Sequence, residues 1–485
     1  MAITFFFFFA PKAFAVIRDG GIDSMNPGRG TWIYILPNAL NQLGGNVSSV
    51  TNLNSLMIYL KNQGLQYVII KAADEDTVFT QGGSPQLTPA FVQAGHAVGL
   101  KVYGYIYTVG KNIPGEIAMC NNIFNQGADG LIYDAEVEWE PTTNSTTGLP
   151  NHPWLTNAPA QATQLCSTVR SNWPTKYIGL STWPYRGFHS SLPYKEFARY
   201  CDVIMPQAYW IEIGDTPTVC VAHINTDWLS WKNGLTGVWT NSIKPFVMTG
   251  QGWSSTNGTV TPAQIAEFEN CLRTNTSLLS PGGFKGIDYW RAELHSSSTW
   301  NAIRTNSISK PYTNAPVIEY LPVVIAAATT ANISWPTDQK SDGVVEYGLT
   351  TSYGALKTNA TTQWYRTVGL TGLDPDTTYH YRVKSTGTNN LTGVSADYLF
   401  TTTPAAVADI IIDNPAATVA GSWNTGTSSP DKFGADYRYK SQGTGANYLR
   451  FIPNFSLAGN YQVYEWHPIG VNRTTGAKHV ITYNG

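Results

Sequence analysis

Four carboxylates, Asp134, Glu136, Glu138 and Glu140, occupy alternate positions in the run ADGLIYDAEVEWEP at residues 128–141. The run opens on a small-residue turn and passes through an apolar stretch, Leu131-Ile132-Tyr133, before the acids begin. Alternate residues of a β-strand share a face, roughly 6.6–6.8 Å apart. An extended reading therefore puts the four acids on one face and Ala135, Val137 and Trp139 on the other. Like charges stacked in this way repel, so a purely structural strand gains nothing from them. A strand whose first half is core and whose end is acid suits a barrel strand that delivers carboxylates to an active site. The plainer alternatives are a solvated strand end or a cation site of hard oxygen ligands.

Two carboxyls on neighbouring like-facing positions cannot both ionise easily, so one pKa rises, as a general acid at neutral pH requires. Asp134 lies deeper, beside Ile132, and Glu136 nearer the mouth, which suits an acid with its modulator. A two-carboxylate mechanism would need a second acid across the barrel, with Asp288 and Asp74 the candidates.

The elements that position these residues are legible as an alternation. Candidate strands at 31–36, 66–72, 101–107, 130–136, 177–182, 202–206, 245–250 and 286–290 alternate with helix-like segments at 50–63, 88–98, 114–125, 158–172, 194–200, 223–232, 261–274 and 297–306. Thr88-Pro89 and Thr261-Pro262 are N-cap and first-turn signals, while Gly64, Gly99 and Gly127 close helices. Eight such units over residues 28–312 predict an α/β fold, a (β/α)8 TIM barrel. An open doubly wound sheet is the alternative, but no G-x-G-x-x-G follows the first strand.

Active sites of such barrels form where strands end. Those positions hold Tyr105 and Tyr107, Trp183, Gln207 and Tyr209, Trp253, and Asp288 with Trp290. Flat rings for sugar C–H faces, amides for hydroxyls and paired carboxyls for acid catalysis are what a glycan site needs. Any one ring could equally be barrel core.

Here the chain resembles glycoside hydrolase family 18. Asp129-Gly130 followed by Asp134 and Glu136 has the spacing of that family's D-G-x-x-x-D-x-E signature, although its first strand-four Asp falls on Ile132. The D-x-E pair is also shared with family 25 lysozyme-like barrels. The resemblance implies Glu136 as general acid and Asp134 as its partner, or Glu138 or Glu140 as the acid if the frame shifts by two or four residues. It implies Met205, Gln207 and Tyr209 as holders of an acetamido group, and Trp290 as the ring under the sugar at the cleavage point. The substrate's own N-acetyl carbonyl would then act as nucleophile.

Residues 313–403 change to many Thr and Val with frequent turn signals, and strand patterns appear at 331–335, 343–347 and 378–384. Leu373-Asp374-Pro375-Asp376-Thr377-Thr378-Tyr379 fits a tyrosine corner, and the segment resembles a fibronectin type III domain. Residues 404–485 carry Gly421-Ser422-Trp423, Phe433-Gly434-Ala435-Asp436-Tyr437-Arg438 and Gly459-Asn460-Tyr461-Gln462-Val463-Tyr464. They resemble the golvesin/xanthan-lyase type of C-terminal β-sandwich, with later strands expected to be missing.

Composition bounds the rest. A formal charge of −2 gives no basic footprint for nucleic acid, and only 13% of residues are charged against 13% aromatic, a surface suited to neutral polymers. Residues 1–15 read as a secretory signal ending at Ala13-Phe14-Ala15, with 16–27 a linker, so a secreted or cell-surface protein is expected. Five cysteines leave at least one thiol unpaired, and none has zinc-site spacing. Cys120 with Cys166, or Cys201 with Cys220, could bridge; free buried thiols fit as well. We expect no cofactor and no metal, a monomer, a polysaccharide or oligosaccharide substrate, and glycan or cell-surface docking through the C-terminal modules. A catalytically silent, glycan-binding barrel is the rival, favoured by Ile132.

Overall fold

The computed structural model describes residues 28–46, 52–143, 145–147, 150–274, 284–306, 312–318, 321–405, 409–441, 443–455, 461–474 and 476–482. The expected signal and linker, residues 1–27, lie outside the described residues, as do parts of the final strand-like run.

Eight parallel strands close into a barrel: β1 (Gly28–Ile33), β2 (Tyr67–Asp74), β3 (Lys101–Thr108), β4 (Gly130–Ala135), β5 (Tyr177–Thr182), β6 (Val203–Ala208), β7 (Phe246–Gln251) and β8 (Phe284–Trp290). Each pairs with its neighbour in sequence order, and β1 also pairs with β8, which closes the ring. The helices are α1 (Leu36–Asn46), α2 (Leu53–Asn62), α3 (Pro89–Ala97), α4 (Ile113–Asn125), α5 (Ala158–Asn172), α6 (Tyr194–Tyr200), α7 (Pro217–Gly234), α8 (Pro262–Thr274) and α9 (Ser297–Asn306). The cap signals do what their chemistry allows. Thr88 Oγ1 accepts from Phe91 N at 3.2 Å, and Thr261 Oγ1 accepts from Gln264 N at 3.3 Å. Gly99 and Gly127 follow their helices at φ 72° and 96°, a region a side chain would strain.

Two apolar clusters follow from strand alternation. Outward side chains such as Val68, Ile70, Leu131, Tyr133, Leu180 and Met248 pack against the helices. Inward ones, Trp32, Tyr67, Ile69, Tyr103, Tyr105, Ile132, Val203, Met205 and Val247, fill the barrel itself. Gly30 makes room there, since a Cβ would lie 2.1 Å from the Tyr67 ring. The β1–β8 seam is tied by ions: Arg29 bonds Glu269 of α8 at 2.7 Å, and Tyr289 Oη donates to the same carboxylate at 2.7 Å.

The structure corrects three expectations. The first strand is Gly28–Ile33, three residues earlier than expected, and an unexpected helix α1 follows it. Strand β4 stops at Ala135, and Val137–Trp139 form a 3₁₀ turn, so the acids do not share one strand face. Trp139 ends this turn fully buried against Phe197 of α6, its indole donating to Thr108 O at 2.7 Å. Neither suggested cysteine pair is bridged. All five thiols are free and four are buried.

The next domain is antiparallel: β9 (Val323–Ala326), β10 (Thr330–Gly348), β11 (Ala355–Thr371), β12 (Thr378–Thr386), β13 (Thr392–Val394) and β14 (Tyr398–Thr401). Its core gathers Ile333, Trp335, Val345, Val368, Leu370, Tyr381 and Val383. The tyrosine corner is formed, with Asp374 N donating to Tyr379 Oη at 2.9 Å. This domain and the barrel make one compact unit, and Tyr365 N donates to Asn62 Oδ1 of α2 at 3.2 Å. Residues 405–485 form a separate unit with short antiparallel pairs, β15 (Thr418–Ala420) with β18 (Tyr448–Arg450) and β16 (Asn424–Gly426) with β17 (Tyr437–Tyr439). Among the described residues no helix is long and apolar enough to cross a membrane.

Candidate active site

Asp134 is the penultimate residue of β4, and register places it beside Tyr107 of β3 and Ser181 of β5, at the C-terminal mouth of the barrel. Glu136 follows in extended backbone, half-buried, at the cap of the 3₁₀ turn. One amide binds both. Gln207 Nε2, at the end of β6, donates to Asp134 Oδ1 at 3.2 Å and to Glu136 Oε1 at 2.9 Å, and reaches Ser181 Oγ at 3.2 Å. Gln207 thus fixes the two carboxyls in one orientation and presents them as a unit.

Electrostatics couple the pair. Burial, then the charge of Glu136, push Asp134 well above the usual carboxylate range, while the Ser181 hydroxyl and Lys71 pull it back. Burial likewise raises Glu136, against the Gln207 amide, with Glu138 adding to the rise. The pair therefore holds a proton into a pH range where free carboxyls have lost theirs. A proton at an open barrel mouth is what general acid catalysis needs.

The other two acids diverge from them. Glu138 sits on the 3₁₀ turn and faces the Tyr107 hydroxyl, whose pKa rises through burial and then through that bond. Glu140 lies beyond the 3₁₀ turn. It is buried, bonded to His189 Nδ1 at 2.7 Å and to Ser191 Oγ at 2.8 Å, and so ties down the segment after β5.

Aromatic side chains floor the mouth. Trp290 packs on Trp32, Tyr34 and Tyr105, with ring centroids 5.6, 6.0 and 6.1 Å away. Tyr209 meets Trp253 edge-on at 4.8 Å, and its hydroxyl is held protonated by burial and then by Asp134 and Glu136. Trp183 lies over His189 at 4.2 Å. The expected residues Tyr105, Tyr107, Gln207 and Tyr209 thus surround the pair.

Asp288 is the exception. It is fully buried inside the barrel, accepting from Trp32 Nε1 at 2.7 Å and from Tyr67 Oη at 2.9 Å. Parity explains this, because Asp288 stands two residues below Trp290 and points into the barrel. It cannot serve as a second acid facing a substrate at the mouth. Burial raises its pKa to about 7, so it favours the protonated form in the fold. Its unfolded pKa is near 3.9. Stability from this group is therefore complete below about pH 4 and is lost as pH rises through about 7. Asp288→Asn keeps the shape, and its thermal midpoint should fall less than wild type between about pH 5 and about pH 8. Parallel midpoint curves for the two proteins would contradict this.

Sequence reasoning missed Lys71, Tyr34 and Ser181. Lys71 ends up beside Tyr34, Phe79, Tyr105 and Tyr107, and Glu293 Oε1 accepts from Tyr34 N and Ile35 N at 3.1 and 2.9 Å. A signal for Lys71 was present: it is the one charge in the otherwise apolar first seven residues of β2, YVIIKAA.

Comparison with known proteins bears on the modules. Residues 410–485 match the Golvesin C-terminal domain family, and residues 319–402 match a family described as the Purple acid Phosphatase, N-terminal domain. The chain is 30% identical over 158 residues to Endoglucanase B of Cellulomonas fimi, covering 31% of this chain and 14% of that protein. It is 35% identical over 68 residues to Xanthan lyase of Bacillus sp. (strain GL1), covering 13% of this chain and 7% of that protein. The chain thus spans only a small part of each curated relative. Chitinase ChiA74 from Bacillus thuringiensis overlays 87% of this chain at 10% identity and a TM-score of 0.34. The molecule is a (β/α)8 barrel followed by an antiparallel β domain and a golvesin-type C-terminal domain.

Proposed function

We propose that the chain is a glycoside hydrolase whose Asp134–Glu136 pair protonates the leaving glycosidic oxygen of a polysaccharide bound across the barrel mouth. The observation that supports this best is the Gln207 amide bonded to both carboxyls above an aromatic floor. The amide orients the acid, and burial with the coupling of the two carboxyls holds a proton on the pair above the usual carboxylate range. Trp290 supplies a flat apolar surface for a sugar ring.

The substrate class is an N-acetylhexosamine polymer of a cell wall or matrix. With Asp288 sealed inside the barrel, no second carboxyl of β8 faces the pair, which favours a mechanism that borrows the substrate's N-acetyl carbonyl as nucleophile. Tyr209, beside the pair, would orient that group. The protein acts outside the cell, and its C-terminal golvesin-type domain and the preceding β domain, read as fibronectin type III-like, dock it on surface or glycan.

Comparison of an N-acetylated polymer with its fully deacetylated form tests the class. New reducing ends should come from the first alone; equal release from both would remove the acetamido group from the mechanism. The stacking surface is tested by Trp290→Ala. A well-placed ring is worth about 0.5–1.5 kcal/mol by analogy with aromatic pairs, so oligosaccharide binding should weaken by up to roughly tenfold. Unchanged binding alongside a large fall in thermal midpoint would make Trp290 a packing residue.

A further inference from the structure

Lys71, the fifth residue of β2 and 7% exposed, stands level with Tyr105 and Ile132, one inward position below Asp134. Its ammonium is ringed by aromatic faces, with Tyr34, Phe79, Tyr105 and Tyr107 centroids at 5.0, 4.7, 5.9 and 5.6 Å. Asp74 Oδ1, on the solvent side, lies 2.6 Å from Nζ. Burying a charge this far is costly unless something nearby uses it. The cage and Asp74 hold it in place. Strand register gives its direction: Lys71 pairs with Tyr105, and Tyr107, the next inward residue of β3, pairs with Asp134. The cation thus stands on β2 and the acid pair on and after β4, with β3 and its Tyr105 and Tyr107 between them.

We propose that Lys71 is a positioning residue for the acid pair, holding Asp134 and Glu136 together at a single negative charge so that one proton is shared between them. The inference rests on the reading of this pair as the acid–base centre. Its physical basis is that a cation near two buried carboxyls favours the first ionisation of the pair, leaving one carboxylate beside one acid. Ile132, the next inward residue below Asp134 on β4, brings no charge to the problem.

The remaining groups facing the pair do not replace Lys71. Glu138 is an acid and raises both carboxyls; Asp74, bonded to Lys71, and Glu293, bonded to Tyr34 N, are acids as well. Tyr105, Tyr107 and Tyr209 have phenols held protonated by burial first of all. Arg291 is engaged elsewhere, 3.6 Å from Glu293 and over the Tyr34 ring at 4.8 Å. His189 acts on Glu136 but is bonded to Glu140. Lys71 acts on both members.

Lys71→Met keeps the buried stem and removes the charge. Infrared titration of the protonated carboxyl band, assigned with Asp134→Asn and Glu136→Gln, follows the pair directly and needs no turnover. In Lys71→Met the first ionisation should move to higher pH by about one pH unit, since the lost opposite charge had favoured the carboxylate. The acidic limb of the activity profile should move the same way, and Lys71→Arg should restore both. Lys71→Gln, which can still bond Asp74, reads the same titration if the Met variant folds poorly. If the pair titrates as in wild type in both neutral variants, Lys71 only packs and the proposal fails. If the titration moves while no glycan is cleaved by any form, the hydrolase reading fails and the role of Lys71 in setting the pair's charge stands.

Discussion

Glu136→Gln should lose roughly 10²–10⁴-fold in turnover on glycans with poor leaving groups while binding them as well as wild type does. Glutamine keeps the shape of the side chain and a partner for Gln207, but it has no proton to give. On substrates with good leaving groups, which need little protonation, the deficit should shrink. That dependence separates an acid from a mere binding residue. Asp134→Asn has a different signature. It removes one carboxyl of the coupled pair, so the proton the two shared rests on Glu136 alone and the alkaline limb of the activity profile should move to lower pH. Glu138→Gln should cost less, because Glu138 faces Tyr107 from the 3₁₀ turn. Glu140→Gln should act through stability, since Glu140 anchors His189 and Ser191. Loss on Glu138→Gln with none on Glu136→Gln would transfer the acid to Glu138.

The second large effect concerns the barrel's closure. Glu269 is fully buried and takes Arg29 Nη2 at 2.7 Å and Tyr289 Oη at 2.7 Å, joining α8 to β1 and β8. Arg29 Nη1 also donates to Ile303 O at 3.1 Å, at the last helix of the barrel. Glu269→Ala leaves the Arg29 guanidinium buried without its carboxylate. Breaking one partner of a buried pair costs about 3–5 kcal/mol, so denaturant unfolding should show a loss of that size. A loss below about 1 kcal/mol would show that water or a shifted side chain replaces Glu269.

What the sequence revealed and what it hid have physical causes. Strands β3 to β8 and helices α3 to α9 were legible because their apolar periods are long and their ends carry Thr-Pro caps and closing glycines. Strand β1 begins Gly28-Arg29-Gly30, which looks like a turn. Only the fold shows that Gly30 clears the Tyr67 ring and that Arg29 is paired with Glu269. Helix α1 hid behind Pro37 and Gly44-Gly45, residues that argue against a helix. The acid pair was readable from its spacing, but the four-acid strand face was not real. Alternation alone could not show that the strand ends at Ala135 and that the Trp139 indole donates to Thr108 O. Asp288 shows the limit of reading strand ends, because two residues separate a mouth position from a sealed one. Lys71 was hidden because its partners, Tyr34, Tyr105 and Tyr107, come from other strands and loops.

The central claim is that this mouth cuts glycan and does not merely hold it. The purified chain, incubated with a panel of wall and matrix polysaccharides, should bind at least one N-acetylhexosamine polymer and release new reducing ends from it, with Glu136→Gln binding the same polymer and releasing far fewer. Binding with no rise in reducing ends across the panel, equal for wild type and Glu136→Gln, would contradict hydrolysis and make the barrel a glycan-binding module.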